Sequence, residues 1–231
     1  MTLGEFFTLL GFLTGALVLC LWSRARSLAT QGMKWVALAG IVGGVTGAKI
    51  TQWIIGEGGV SGAILDPHNG GKSLVGGLIC GWLAVEIAKW RLGIKRSTGD
   101  GWALALPAGE AIGRIGCFFN GCCYGTKCDA SRAIYQHGAW RHPTQLYSAI
   151  AAALICAVIW FSRGQMKREG DSFKLYLLLY GVSRFAIEFA RDRSVVWNNV
   201  SLVQIICLET AIVAAILLAK NSGKARAEPA T

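Results

Sequence analysis

Seven stretches of this sequence are long and apolar enough to cross a lipid bilayer, and they occupy most of the chain. They span 6–22, 35–55, 73–90, 102–119, 144–161, 173–189 and 201–219. Apolar residues make up 53% of the chain and charged residues only 16%, a balance that excludes an ordinary soluble domain. The sequence therefore predicts an all-α polytopic membrane protein with seven transmembrane helices.

Lysine and arginine are distributed unevenly between the alternate loops that seven helices would create. Fourteen lie in the odd-numbered loops and the C-terminal tail, against six in the other loops. Because positively charged loops tend to stay in the cytoplasm, we expect the N-terminus outside and the C-terminus in the cytoplasm. Membrane topology then accounts for the net charge of +10, and we expect no nucleic-acid partner.

No segment outside the spans is large enough to fold alone, so we expect residues 1–231 to form a single transmembrane helical domain. Two loops, 56–72 and 120–143, are longer than the others, and the predicted topology places both on the outer side. They could cover a site at the outer ends of the helices. Glycine pairs inside the spans, such as Gly76-Gly77, have spacings that allow helices to pack closely.

Ionisable residues inside the predicted spans are the first indication of a site, because lipid makes buried charge costly. Arg114 follows Glu110 by four positions and Glu188 follows Arg184 by four, so each pair lies on one helical face. Two interpretations are open. The pairs could be neutralised contacts that hold helices together, or they could bind an anion such as a lipid phosphate, which a guanidinium grips with two parallel hydrogen bonds.

Further polar residues lie near the outer ends of the fourth, fifth and sixth helices, where we expect them to converge on one pocket. They are Asn120, Tyr124, His142, Thr144, Gln145, Tyr147 and Tyr180. A tyrosine at a helix end is also a common anchor at the membrane interface, and a His-Pro step can simply start a helix.

The eight cysteines divide into two groups. Four lie within apolar spans, where a free cysteine packs as a small hydrophobic residue. These are Cys20, Cys80, Cys156 and Cys207. The other four cluster at the end of the fourth helix and in the loop after it, on the side predicted to be oxidising. These are Cys117, Cys122, Cys123 and Cys128.

The clustered cysteines could form a structural disulfide, or they could cycle between dithiol and disulfide as a thiol-redox site. Because Cys122 and Cys123 are adjacent, a bond between them would be strained, and Cys117 or Cys128 is the better partner. Adjacent cysteines also fit poorly to the C-x2-4-C spacing of structural zinc sites, so we expect no metal.

The segment 113–125, GRIGCFFNGCCYG, resembles the signature G-R-x-G-N-F-x-N-x-E-x-x-G of the prolipoprotein diacylglyceryl transferase family. Four further segments resemble family motifs in the same order: GAK at 47–49, GGKSLVGGL at 70–78, HPTQLY at 142–147 and YGVSRFAIEF at 180–189. The resemblance covers most of the chain. It too implies seven helices with the N-terminus outside, in a multi-pass protein of the bacterial inner membrane.

The resemblance implies an enzyme of lipoprotein biosynthesis that transfers diacylglycerol from phosphatidylglycerol, or another anionic phospholipid, to the thiol of a lipoprotein cysteine, releasing glycerol phosphate. No cofactor is implied. Arg114 and Arg184 match the two arginines that handle the phosphate, and Glu188 and His142 are candidates for further catalytic roles. The matching residues expected to bind substrate are Lys49, Gly76, Gly77, Asn120, Gly125, Gln145, Tyr147 and Tyr180.

The sequence also departs from the family motifs. Val75 stands in the position of a histidine that is a proposed general base, and an isopropyl group cannot accept a proton. Cys117 replaces an asparagine, Cys122 a glutamate and Lys49 an arginine, and the first helix lacks the usual tyrosine. The phospholipid donor site is therefore better preserved than the group that would activate the acceptor.

The sequence also allows other acceptors and other functions. The acceptor could be a protein thiol, a glycan hydroxyl, a lipid or a small molecule, with glyceryl or phosphoglyceryl transfer as the reaction. His142, Glu188 or one of the clustered cysteines would then supply the proton chemistry. A thiol-redox membrane protein and a lipid-binding protein without activity are the alternatives from other functional classes.

Overall fold

The computed structural model describes residues 2–26, 31–55, 74–95, 97–129, 131, 133–166, 168–192 and 200–226. Within these ranges there are seven helices, one for each apolar stretch of the sequence. They are α1 (Leu3–Ala25), α2 (Gln31–Ile55), α3 (Leu74–Arg91), α4 (Gly99–Phe119), α5 (Thr144–Ser162), α6 (Asp171–Glu188) and α7 (Leu202–Arg226). The predicted outer loop 56–72 and the motif residues up to 73 lie outside the described ranges.

The helices expose apolar side chains and bury polar ones, which is the reverse of a soluble protein. Large apolar residues are exposed along all of α1, while Gln145, Arg184 and Glu188 are buried. Among the described residues, four helical segments are long and apolar enough to cross a membrane: Leu3–Ala25, Gly32–Thr51, Thr144–Ser162 and Leu202–Lys220. The protein is therefore a helical membrane protein.

The chain divides into two compact units. The smaller, Ser23–Arg96, contains α2 and α3. These helices meet along glycines: a Cβ added to Gly77 would lie 3.0 Å from the carbonyl oxygen of Gly44, and one added to Gly76 would lie 2.9 Å from that of Gly47. The expectation that these glycines allow close packing is confirmed, because a side chain at either position would separate the backbones.

The larger unit, Met1–Trp22 with Ser97–Thr231, contains most of α1 and all of α4–α7. Glycines again bring α1 and α4 together, with an added Cβ at Gly11 2.7 Å from the carbonyl oxygen of Gly109. Helix α4 also contacts α5 and α6, and α6 contacts α7. Asp100 on α4 accepts hydrogen bonds from the backbone N–H groups of Gly170 (2.9 Å) and Ser172 (3.1 Å), so it caps the start of α6.

A small antiparallel sheet, which the sequence analysis did not predict, lies in the loop 120–143. Strands β1 (Ile134–Gln136) and β2 (Ala139–Arg141) pair through the two-residue turn His137-Gly138. Both turn residues have positive φ, 50° and 72°, as a type I′ hairpin turn requires. Lys127 pairs with Arg141, which adds a further extended segment beside β2.

Candidate functional site

Two buried ion pairs from α4 and α6 form the centre of the site. Arg114 donates through Nε (3.0 Å) and Nη2 (2.9 Å) to the same carboxylate oxygen of Glu110. On α6, Arg184 pairs with Glu188 in the same four-residue spacing. Only about a tenth of each arginine side chain is exposed. The spacing in the sequence had left such pairs open as one of two interpretations, and both pairs are present in the structure.

Tyr180 lies between the two ion pairs. Its side chain is 7% exposed, and its hydroxyl oxygen is buried with no hydrogen-bond partner among the described residues. It interacts electrostatically with Glu110, Arg114 and Arg184. A buried hydroxyl normally finds a partner, so an orphan phenol between two arginines indicates a position for a polar ligand.

A small pocket opens beside this phenol between α4, α5 and α6. It is lined by Pro107, Glu110, Ser148, Ala151, Ala152, Ile155, Tyr176, Tyr180, Ser183, Arg184 and Ile187. The lining combines apolar residues with the charged groups of Glu110 and Arg184, and an amphipathic ligand needs both.

Arg191 is a third arginine of the site, and the sequence analysis did not select it. It follows α6 and interacts electrostatically with Arg184, Arg114 and Glu188. Burial lowers its pKa, and the positive charge of Arg184 lowers it further. A guanidinium in a protein nevertheless stays charged. Its only signal in the sequence was its position three residues after Glu188, in a segment treated as a loop.

A capping box at the start of α7 lies against the end of α6. The hydroxyl of Ser201 accepts from the N–H of Gln204 (3.2 Å), and the side chain of Gln204 accepts from the N–H of Ser201 (3.0 Å). Ser201 also donates to the second carboxylate oxygen of Glu188 at 3.4 Å. Glu188 is thus held between Arg184 and α7, which fixes the guanidinium it faces.

Helix α4 ends in a Schellman turn that carries the clustered cysteines. Gly121, with φ +63°, donates to the carbonyl oxygen of Phe118 (3.1 Å), and Cys122 donates to that of Cys117 (3.1 Å). Cys123 follows, also with positive φ (61°). The sulfur atoms of Cys117, Cys122 and Cys123 lie within 4.8 Å of one another.

The first residues of α5 hold this turn in place. Thr144 donates to the carbonyl oxygen of Cys123 (2.7 Å), and Gln145 donates to that of Cys122 (2.8 Å). Both side chains are almost completely buried. Gln145, expected to bind substrate, therefore contacts the cysteine turn in this structure.

The three thiols are free and electrostatically inequivalent. Hydrogen bonds from the thiols of Cys117 and Cys122 lower the pKa of Cys123, and the charges of Arg191 and Arg114 act in the same direction. Hydrogen bonding to the thiols of Cys117 and Cys123 raises the pKa of Cys122. The nearby arginines therefore favour negative charge in the cluster.

Backbone contacts bring the remaining loop residues beside this turn. Gly125 donates to the carbonyl oxygen of His142 (2.9 Å), and an added Cβ would lie 2.7 Å from the Cβ of His142. The ring nitrogen Nδ1 of His142 hydrogen-bonds the hydroxyl of Tyr147 at 3.3 Å. The guanidinium of Arg141 stacks on the ring of Tyr124 at 4.7 Å. Tyr124 thus packs within the loop.

The remaining predicted residues have contacts within their own units. The side chain of Asn120 lies against Gly4 of α1. Gly76 and Gly77 line the α2–α3 contact in the smaller unit, which also contains the half-buried Lys49. Cys128 does not belong to the group of close sulfur atoms in the described part of the chain, so Cys117 is the partner that the turn brings near Cys122 and Cys123.

Comparison with known proteins identifies the family of this chain. Residues 5–220 match the family model for prolipoprotein diacylglyceryl transferase. The chain is similar to a phosphatidylglycerol–prolipoprotein diacylglyceryl transferase of Clostridium tetani, 31% identical over 223 residues, which cover 88% of this chain and 86% of the relative. Proteins of the same name from Nitratidesulfovibrio vulgaris (30% over 241 residues, 94% and 88% covered) and Methylococcus capsulatus (36% over 176 residues, 69% and 67% covered) are also similar. The chain belongs to the prolipoprotein diacylglyceryl transferase family.

Proposed function

We propose that this protein transfers the diacylglyceryl group of phosphatidylglycerol to the cysteine thiol of a prolipoprotein and releases glycerol phosphate. The observation that carries this proposal is the position of Arg114 and Arg184 beside the orphan hydroxyl of Tyr180, with Arg191 close enough to interact with both arginines. The names of the similar proteins support the same donor and acceptor. They give no support to a glycan acceptor.

The charge of the site suits a phosphodiester. Glu110 and Glu188 neutralise two of the three guanidinium groups, which leaves a formal charge of +1. Two self-contained ion pairs would bind an anion weakly, whereas an excess positive charge in a poorly hydrated site attracts a monoanionic phosphodiester strongly. Arg191 therefore supplies the excess positive charge that an anion site requires and that the two ion pairs alone lack.

The carboxylates orient the arginines for this task. Glu110 occupies the Nε and Nη2 edge of Arg114, so that the Nη1 donors can face a phosphate oxygen. The hydroxyl of Tyr180 can donate to a second oxygen of the same group. Held in this way, the phosphodiester presents its glyceryl carbon in a fixed direction to an incoming thiol.

The reaction forms one bond and breaks one bond. The acceptor sulfur attacks the carbon of the diacylglyceryl group that bears the phosphate. The bond between that carbon and the phosphate oxygen breaks, and glycerol phosphate leaves with the electron pair. Negative charge grows on the departing oxygen, where the guanidinium groups stabilise it more strongly than they stabilise the bound diester. The thiol proton ends on the released phosphate or in water.

The placement in the membrane is part of the proposal. We infer seven spans with the N-terminus outside, in the bacterial inner membrane, from the loop charges and the seven helices. In this topology α4 and α6 end, and α5 and α7 begin, on the outer side. The arginines and the cysteine turn would then face the compartment that contains prolipoproteins awaiting modification.

The test uses purified protein in liposomes with two labelled phosphatidylglycerols, one labelled in the head group and one in an acyl chain. With a lipobox peptide present, we expect head-group label in free glycerol phosphate and acyl label on the peptide thiol. Changing Arg114 or Arg184 to alanine should lower the rate about 10²–10³-fold. Arg163→Ala is the matched control, because Arg163 stacks on Trp160 at the far end of α5.

Head-group label on another component of an added outer-compartment extract would replace the proposed reaction by phosphoglyceryl transfer. Absence of turnover with every acceptor, from protein that still binds phosphatidylglycerol, would reject the transferase.

A further inference from the structure

Three cysteine thiols lie close together at the end of α4. Four residues separate Cys117 from Cys122 in the sequence, and Cys123 follows Cys122 directly. The Schellman turn folds Cys122 back over Cys117, since these residues occupy the two positions whose side chains ordinarily meet in such a turn. An ordinary turn would place apolar side chains there. Here Cys122 is exposed, and a third sulfur joins the pair.

The third thiol depends on an unusual backbone conformation. Cys123 has φ +61°, a left-handed conformation that is unfavourable for a residue with a side chain. The buried side chains of Thr144 and Gln145 hold the carbonyl groups of Cys123 and Cys122 and maintain that conformation. A left-handed residue that its surroundings fix in place is a feature of functional sites.

The sulfur positions suit a thiolate-bound metal. A zinc–sulfur bond of about 2.3 Å places tetrahedral thiolates about 3.8 Å apart. The three sulfur atoms already lie within 4.8 Å of one another, so rotation of the side chains can bring them to that separation. Arg114 and Arg191, both close enough to interact with Cys123, offset the negative charge of a zinc tris-thiolate.

We propose that Cys117, Cys122 and Cys123 bind a zinc ion whose fourth coordination position receives the acceptor thiol. The second half of this proposal rests on the proposed transferase function; the binding of zinc does not. Three protein ligands with one open position are the arrangement of catalytic zinc sites, whereas structural sites use four protein ligands.

A zinc ion in this site would activate the acceptor thiol. Transfer to a thiol needs the thiolate, and Val75 cannot remove its proton. A thiol that coordinates zinc is deprotonated, and its proton leaves to water or buffer. The zinc-bound sulfur then forms the carbon–sulfur bond, the carbon–oxygen bond of the phospholipid breaks, and glycerol phosphate departs. No electron is gained or lost by the metal.

The first experiment measures metal binding without any lipid. The detergent-purified protein is reduced, freed of metal with a chelator and titrated with Zn²⁺. The amount of bound zinc per chain is measured by elemental mass spectrometry. We expect about one ion per chain. Changing Cys117, Cys122 and Cys123 together to serine should abolish binding, while Cys128→Ser, in the same loop but outside the cluster, should retain it.

Protection of cysteines from alkylation can be measured on the wild-type protein. This measurement therefore does not depend on variants that fail to fold. Zn²⁺ should protect Cys117, Cys122 and Cys123 from alkylation and leave Cys128 reactive, as read by peptide mass spectrometry. Co²⁺ should give the absorption of a tetrahedral thiolate complex, and a lipobox peptide should shift that spectrum where its serine analogue does not. Equal alkylation with and without Zn²⁺, or a disulfide within the cluster that mild reductant does not open, would overturn the proposal.

Activity then separates this proposal from the proposed function. Peptide labelling that is lost with chelator and restored by Zn²⁺ supports both. Labelling that is unchanged after complete removal of zinc leaves the transferase standing and rejects the catalytic zinc. Zinc binding with protection of the three thiols, but without any lipid turnover, leaves the metal site standing and rejects the transferase.

Discussion

The α2–α3 contact and the α4–α6 contact hold membrane helices together by different means. In the first, glycines let backbone meet backbone, as at Gly44 and Gly77. In the second, each helix carries a buried ion pair at the contact, Glu110 with Arg114 on α4 and Arg184 with Glu188 on α6. The glycine contact uses shape alone, whereas the charged contact buries groups that are expensive unless they have partners.

This difference indicates where function lies. Glycine contacts give close packing at little electrostatic cost, so packing alone does not require the arginines. Buried charge at a helix contact that glycine could form equally well therefore indicates a role other than stability. The orphan hydroxyl of Tyr180 beside those charges indicates that the gain is ligand binding.

Breaking the charged contact should give the largest effect. Arg184→Ala leaves the carboxylate of Glu188 buried without its positively charged partner, at a cost of about 3–5 kcal/mol in stability. The same change should lower transferase activity about 10²–10³-fold. Replacing both residues, as Arg184→Met with Glu188→Leu, should recover most of the thermal stability but none of the activity. Thermal unfolding and lipid turnover of the two variants measure this. If the double variant is as unstable as the single one, the pair is not the source of the cost.

Breaking the glycine contact should affect folding without a direct effect on chemistry. In Gly47→Val, the new side chain would meet Cys80 and approach the carbonyl oxygen of Gly76, so that α2 and α3 must separate. We expect a loss of about 1–3 kcal/mol, measured by thermal unfolding in detergent. Gly164→Val is the control, because an added Cβ there meets nothing within 4 Å. Equal stability of the two variants would contradict the packing argument.

A smaller change sharpens the role of α5 as a support for the cysteine turn. Gln145→Leu keeps the volume but leaves the carbonyl of Cys122 without its donor, and should cost about 1–3 kcal/mol. Alkylation of Cys122 and Cys123 should become faster as the turn loosens. Gln165→Leu, at an exposed position after α5, should change neither the unfolding temperature nor the thiol reactivity.

The smallest effect on stability should come from Tyr180→Phe. The hydroxyl makes no hydrogen bond within the described structure, so its removal should alter stability by less than about 0.5 kcal/mol. Turnover of phosphatidylglycerol should nevertheless fall about tenfold, the effect of losing one ligand hydrogen bond of about 1.4 kcal/mol. Tyr135→Phe, on the exposed face of β1, is the comparison. Unchanged turnover would remove Tyr180 from the site.

The sequence predicted the helices well because each is a continuous apolar stretch, and the ends mostly moved by a few residues. It also indicated both ion pairs as one of two interpretations, since residues four apart are neighbours within one helix. It did not predict the hairpin at His137-Gly138, whose strands are only three residues each. Short strands give little periodicity to detect.

The parts of the site that could not be predicted depend on contacts between distant segments. Arg191 joins the other arginines only because the chain turns back after α6. The three thiols meet because the Schellman turn and two side chains from α5 determine their positions. No local pattern in a single sequence records such contacts.

The spacing of the ion pairs also bears on how the chain enters the membrane. Each arginine has its counter-ion one turn away on the same helix, so α4 and α6 are each neutral at these positions from the moment they form. During synthesis, neither helix has to wait for a neighbour before it can leave the translocation channel for lipid. The final partner of Glu188, Ser201 at the start of α7, is made last. The charged site can therefore be inserted in pieces and completed only when the last helix arrives.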